Sequence, residues 1–234
     1  MPELPLYIPI TFTLAVATAV YCFYRASHSR LLLFITLGWL GLQAALALTG
    51  FYINERTTPP HFLLLIAPVV LPILATFRFK KGRRFLDALD LRWLTLLHTA
   101  RLPMDLVLYW LYQAEEVPWK ITFAGCNFDI LIGLTAPLVA WLAFGPKGTL
   151  RYPKWLLAWN LVGLALLLIL ATLAIASLPT ALQSLSFQRP LVGILYFPYN
   201  WMPCGIFPLV FLAQLVGLRR LSIKKNLNPE HSLG

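Results

Sequence analysis

WLLAWNLVGLALLLILATLAIASLPTALQSLSFQ, running from Trp155 to Gln188, contains no Asp, Glu, Lys or Arg. Crossing the hydrocarbon core of a bilayer takes about 20 mainly apolar residues. The tract is therefore too long for one span, and Ser177-Leu-Pro-Thr, around Pro179, supplies the break. Charge-free stretches of the same kind cover Leu4–Tyr24, Leu31–Asn54, Thr57–Phe77, Ile121–Phe128, Ile130–Pro146 and Pro190–Leu218. The chain is 59% hydrophobic and 12% charged, whereas soluble domains carry about 25% charged residues. A water-soluble fold could not hide so much apolar surface. The sequence predicts an all-α polytopic membrane protein built as a single transmembrane domain, a bundle of seven spans near 5–25, 31–53, 61–78, 88–113, 119–144, 153–178 and 191–218.

The cations orient the bundle. With the N-terminus outside and the C-terminus in the cytoplasm, the inner side receives Arg25, Arg30, Arg78, Lys80, Lys81, Arg83, Arg84, Arg92, Lys147, Arg151, Lys154, Arg219, Arg220, Lys224 and Lys225. The outer side receives Arg56, Lys120 and Arg189, and Arg101 lies within a span. This asymmetry follows the rule that cytoplasmic loops collect Lys and Arg. It also accounts for the net charge of +10 without a nucleic-acid partner. The expected location is a plasma membrane or bacterial inner membrane. Met-Pro-Glu-Leu-Pro at the start has no basic n-region, so the first span is expected to be retained rather than cleaved as a signal peptide. Cys22, Cys126 and Cys204 lie far apart in apolar stretches and read as small buried side chains rather than a metal or disulfide framework.

Between the third and fourth spans, Lys80-Lys81-Gly82-Arg83-Arg84 precedes an amphipathic stretch from Phe85 to Leu91. It reads as a solvated topogenic loop, or as a contact for anionic lipid headgroups through Lys80, Lys81, Arg83 and Arg84 or for a cytoplasmic partner. Membrane lipids are the expected partners, and the oligomeric state is open.

Ionisable residues at membrane depth are costly and usually face the bundle interior. The fourth span carries His98, Arg101 and Asp105 at offsets of three and four, which places them on one face. Tyr109 continues that stripe, and Pro103 frees the carbonyl of Thr99. From the helical rise, Asp105 lies roughly 12 Å and Arg101 roughly 18 Å below the outer end of the span. Asn127 and Asp129 on the fifth span, and Tyr196 and Asn200 on the seventh, fall at comparable depth. Asn127 and Asp129 are two apart, about 200° around a regular helix. Both can line one pocket only if the backbone is irregular near Gly125; otherwise Asp129 faces inward alone. The seventh span also carries Pro198, Pro203 and Pro208, which imply a kinked or unwound segment whose freed carbonyls need partners.

Several chemistries are excluded. His98 and Asp105 lie about 10 Å apart along the axis, Arg101 between them repels a cation, and no HExxH or CxxC motif occurs; neither a metal nor a cofactor is expected. In architecture alone the topology resembles that of rhodopsins, but a retinal Schiff base needs a lysine deep in the bundle, and every Lys here lies in a loop or at a span edge. The leading expectation is a non-enzymatic binding or transport protein whose outer-half pocket takes a small polar or anionic ligand or a lipid headgroup. Arg101 would contact the anion, Asp105 and Asp129 would orient it or carry a proton, and His98 would relay protons. The alternatives are a membrane-embedded enzyme on a lipid-like substrate, with His98 and Asp129 as acid–base groups, and a structural or sensor subunit in which Arg101, Asp105 and Asp129 only lock the bundle.

Overall fold

The computed structural model describes residues 4–53, 61–145, 148–178 and 191–227. The expected break at Pro179 and the loop cations Arg56, Lys147 and Arg189 lie outside the described residues. Within them the regular elements are helices: α1 Tyr7–Ser27, α2 Arg30–Leu48, α3 Leu63–Arg78, α4 Lys80–Ala88, α5 Leu91–Leu97, α6 Arg101–Gln113, α7 Ile130–Ala143, α8 Pro153–Ala176 and α9 Phe207–Leu227. Among the described residues, four segments are long and apolar enough to cross a membrane: α1, α2, α8 and Met202–Ser222. A fifth is added when α3 and α4, which meet at a 101° bend, count as one broken span.

Burial is inverted relative to a soluble protein. Leu31, Trp141 and Trp155 are 69%, 70% and 79% exposed, while Arg101, Asp105 and Asp129 are 0% exposed. Apolar side chains pointing outward around a charged centre suit a lipid surround and would be untenable in water. α1, the α5–α6 run and α9 form the centre; α7 packs on α5 and α6, and α8 on α9. The buried face of α8 reads Leu156, Asn160, Gly163, Leu167 and Leu170, a seam spaced by threes and fours. α2 and α3 are peripheral. α2 buries only Leu40, Gln43 and Ala47, and α3 only Leu65.

Local chemistry sets the corners. His28 ends α1 with a left-handed φ of 51°, and its N–H donates to Tyr24 O at 2.8 Å. Ser29 then caps α2, its hydroxyl accepting from Leu32 N at 3.3 Å. Asp90 caps α5 by accepting from Arg92 N at 2.8 Å, and its own N–H donates to Ala26 O at 2.9 Å, fastening α5 to the end of α1.

Three expected spans are built differently. The span near 88–113 starts at Leu91 and passes through a 3₁₀ turn, His98–Ala100, just before Pro103, where the proline removes a helical donor. The span near 119–144 is helical only over α7. Ahead of it, the 114–129 segment is a loop holding a 3₁₀ turn, Trp119–Ile121. Pro118 starts that turn, and a Cβ on Gly125 would collide with the carbonyl of Trp119, so a helix-forming side chain does not fit there. The span near 191–218 opens with a 3₁₀ turn, Gly193–Leu195, a turn over 197–200 and a π-helical turn, Met202–Ile206. Its freed carbonyl finds a partner: Pro208 offers no N–H to Cys204 O, and Trp39 Nε1 donates to that oxygen at 3.0 Å. The expectation for the cysteines holds for Cys22 and Cys204, whereas Cys126 is exposed on the 114–129 loop.

Candidate functional site

Arg101 begins α6 and points into the contact of α6, α7, α8 and α9. Its Nε donates to Asp129 Oδ2 at 2.5 Å, and Nη2 donates both to Asp129 Oδ1 and, at 3.2 Å, to Gly163 O on α8. Gln214 on α9, with its amide oxygen facing the guanidinium, accepts from Nη1 at 3.2 Å. The same amide donates to Asn160 Oδ1 at 2.7 Å and to Asn160 O at 3.1 Å. One planar cation therefore ties three elements to α6 by a forked pair and two neutral acceptors, the geometry for which a guanidinium is suited.

The carboxylate is held by the irregular backbone ahead of α7. Asn127 Oδ1 accepts from Asp129 N at 2.9 Å, an Asx turn that aims the Asp129 side chain. Asn127 Nδ2 donates to Asp105 Oδ1 at 2.7 Å and to Ile121 O at 3.1 Å. Asn127 and Asp129 thus share one site, the outcome expected only if the chain were irregular near Gly125. Asp105 is not the partner of Arg101 despite its i, i+4 spacing; Asp129 takes both guanidinium contacts. The second oxygen, Asp105 Oδ2, is buried without a hydrogen-bond partner among the described residues, as are His98 Nδ1 and Thr99 Oγ1. His98 packs edge-on to Trp159 at 5.3 Å.

The remaining candidates stand apart from this cluster. Tyr109 packs its ring on Phe123 at 4.8 Å and on Tyr112 at 6.3 Å. Tyr196 contributes its backbone carbonyl, which accepts from Asn200 N at 2.9 Å. Asn200 belongs to a second polar group: its Nδ2 donates to Gln43 O at 2.9 Å, and Gln43 Oε1 accepts from the hydroxyl of Tyr52. Asn200 therefore joins α2 to the segment ahead of α9, whereas Gln214, further along α9, belongs with Arg101 and Asp129.

Glycines allow the closure around Arg101. A Cβ on Gly133 of α7 would overlap Leu102 N, and a Cβ on Gly163 would overlap the Gln214 amide. Across α8 and α9 the relation is reciprocal, since a Cβ on Gly217 would lie 2.5 Å from Asn160 Oδ1. Asn160-x-x-Gly163 on one helix thus faces Gln214-x-x-Gly217 on the other, each glycine receiving the other helix's amide. Neither Asn160 nor Gln214 was among the expected site residues; the repeated amide-x-x-Gly spacing is the signal that could have linked them to Arg101.

Beside the ion pair lies a cavity of about 290 Å³ between α3, α8 and the start of α9. Phe62, Leu65, Ala171, Ala174, Met202 and Phe207 are among its lining residues, and Arg101 sits at its end. Its accessible wall is apolar. No protein-family profile, curated protein or solved structure matches the chain.

Removing either member of a buried ion pair leaves the other uncompensated, at roughly 3–5 kcal/mol. Asp129→Asn should therefore destabilise the protein by that amount, read as a large fall in melting temperature in detergent. Asp105→Asn keeps an oxygen for Asn127 Nδ2 and should change stability by less than about 1 kcal/mol. Equal losses for the two variants would contradict the assignment of Asp129 as the partner.

Proposed function

We propose that this chain is a seven-span membrane protein that binds the hydrocarbon part of a lipid-like ligand in the cavity between α3, α8 and α9. The observation that carries the reading is the chemistry of that cavity. Its volume, about 290 Å³, falls just under the usual range for ligand pockets, about 300–1,000 Å³, and the wall built by the described residues, without polar surface, selects an apolar occupant. This shifts the expected ligand from a small polar or anionic solute toward a lipid. Arg101 is committed to Asp129, Gly163 and Gln214, so in this reading it is the floor of the cavity and a lock on the bundle. Among the described residues, the lining presents no nucleophile or acid–base pair to an occupant, which favours binding over catalysis.

Seven crossings are supported by length and charge. The 91–113 run rises about 34 Å, enough to span. α7 alone rises about 21 Å, and in this reading the 114–129 segment supplies the rest of that crossing. Arg25, Arg78, Lys80, Lys81, Arg84 and Lys154 then share one side with the C-terminus, which is the cytoplasm by the positive-inside rule. In a cysteine-free variant, Gln113→Cys should react with an impermeant maleimide on intact cells, and Arg84→Cys only after permeabilisation. The opposite pattern would reverse the orientation.

Binding is tested with a phospholipid carrying a diazirine at the end of one acyl chain, photolysed after reconstitution. Labelling should concentrate on cavity residues of α8 and the Met202–Phe211 region and be lost when Ala171→Phe and Ala174→Phe fill the space. Labelling spread evenly over exposed apolar residues such as Trp141, and unaffected by filling, would contradict it.

A further inference from the structure

A second apolar space, of about 350 Å³, lies on the other side of α3, between α2 and α3. α2 supplies Leu32, Ile35 and Trp39, and α3 supplies Pro68, Pro72 and Thr76, while Phe85 and Leu86 of α4 close its end. An open notch formed by Pro72, Thr76, Phe79, Lys80, Lys81 and Gly82 abuts it, with Pro72 and Thr76 common to both. A lateral groove with hydrocarbon walls therefore runs into a corner bearing cations.

The corner is built rather than incidental. α4 leaves α3 at 101°, and a Cβ on Gly82 would overlap the carbonyl of Thr76, so the Lys80–Arg84 run is pressed against the last turn of α3. Leu86 is fully buried. Asp87 receives Arg219 Nε at 2.9 Å and Nη2 at 3.0 Å, which fastens α4 to α9 and commits the nearest carboxylate elsewhere. Lys80, Lys81 and Arg84 are exposed, and no ion pair to them occurs among the described residues.

We infer that this corner is a binding site for an anionic phospholipid of the bilayer, with one acyl chain in the α2–α3 groove and the phosphate-bearing headgroup on Lys80, Lys81 and Arg84. Charge complementarity and the continuity of groove with cationic rim select that occupant. An acidic protein or a nucleic acid would use the cations but leave the groove empty. A lipid uses both.

The site is separate from the cavity between α3 and α8, and its test reads headgroup preference rather than acyl labelling. Native mass spectrometry of the full chain, titrated with phosphatidylglycerol against phosphatidylcholine of the same chains, measures that preference. Each basic residue near an anionic surface contributes about a fivefold factor, equivalent to about 1 kcal/mol. Wild-type protein should prefer phosphatidylglycerol, and the variant with Lys80→Gln, Lys81→Gln and Arg84→Gln should bind it about 100-fold more weakly. A control with Arg92→Gln and Lys154→Gln, also exposed basic positions, should keep the preference. Filling the groove with Thr36→Phe and Val69→Phe should weaken both lipids alike. Three results would each overturn the inference: no headgroup preference in the wild type, an equal loss in the control, or an unchanged preference in the triple variant. Binding of both lipids at unchanged strength after groove filling would overturn the placement of the acyl chain.

Discussion

A guanidinium with no exposure, in a chain whose outer surface is apolar, dominates the construction. An unpaired charge there would cost many kcal/mol, so Arg101 has to be met by an anion and further acceptors in fixed positions. Asp129, Gly163 and Gln214 meet it, and each comes from a different part of the chain. The close approach this requires explains the glycines at 133 and 163. It also explains why α7 starts late: an Asx turn at Asn127 aims Asp129 at the cation in a way a continuous helix would not. One electrostatic demand thus propagates into backbone form, small-residue placement and helix packing.

The fold follows from that centre. α5–α6, α7, α8 and α9 are held by polar contacts that tolerate little displacement, and α1 packs on them with an apolar face through Ile8, Phe12, Ala15 and Ala19. α2 and α3 bury far less. They are tied back by single bonds such as Trp39 Nε1 to Cys204 O and Trp201 Nε1 to Leu40 O. Both apolar spaces border α3. In the proposed reading, a charged core flanked by two lightly packed helices lets a lipid chain enter from the side without disturbing the ion pair.

Much of this was legible in the sequence. Charge-free tracts gave α1, α2, α8 and the body of α9 because length and apolarity alone determine a span. The intramembrane charges marked Arg101, Asp105, Asn127 and Asp129, and the condition placed on Gly125 proved decisive. What stayed hidden depends on tertiary choice. Arg101, Asp105 and Asp129 were expected in one charge cluster, but spacing does not tell which carboxylate takes the guanidinium; the long, forked Arg side chain reaches across to Asp129. Equal depth suggested that Asn200 and Tyr196 joined the same site, but depth does not set azimuth, and Asn200 faces Gln43 on α2. The apolar cavity has no signature in one dimension, since its lining residues are the ordinary leucines and alanines of membrane helices.

The charged centre requires Arg101 and Asp129 to stabilise the bundle as one unit. A double-mutant cycle of melting stability in detergent, with Arg101→Gln, Asp129→Asn and both together, measures that coupling. Each single change strands a buried charge and the double change removes both, so the double variant should be clearly more stable than the sum of the single losses implies. Additive losses would show that the two residues act independently and that the charged centre does not organise the fold.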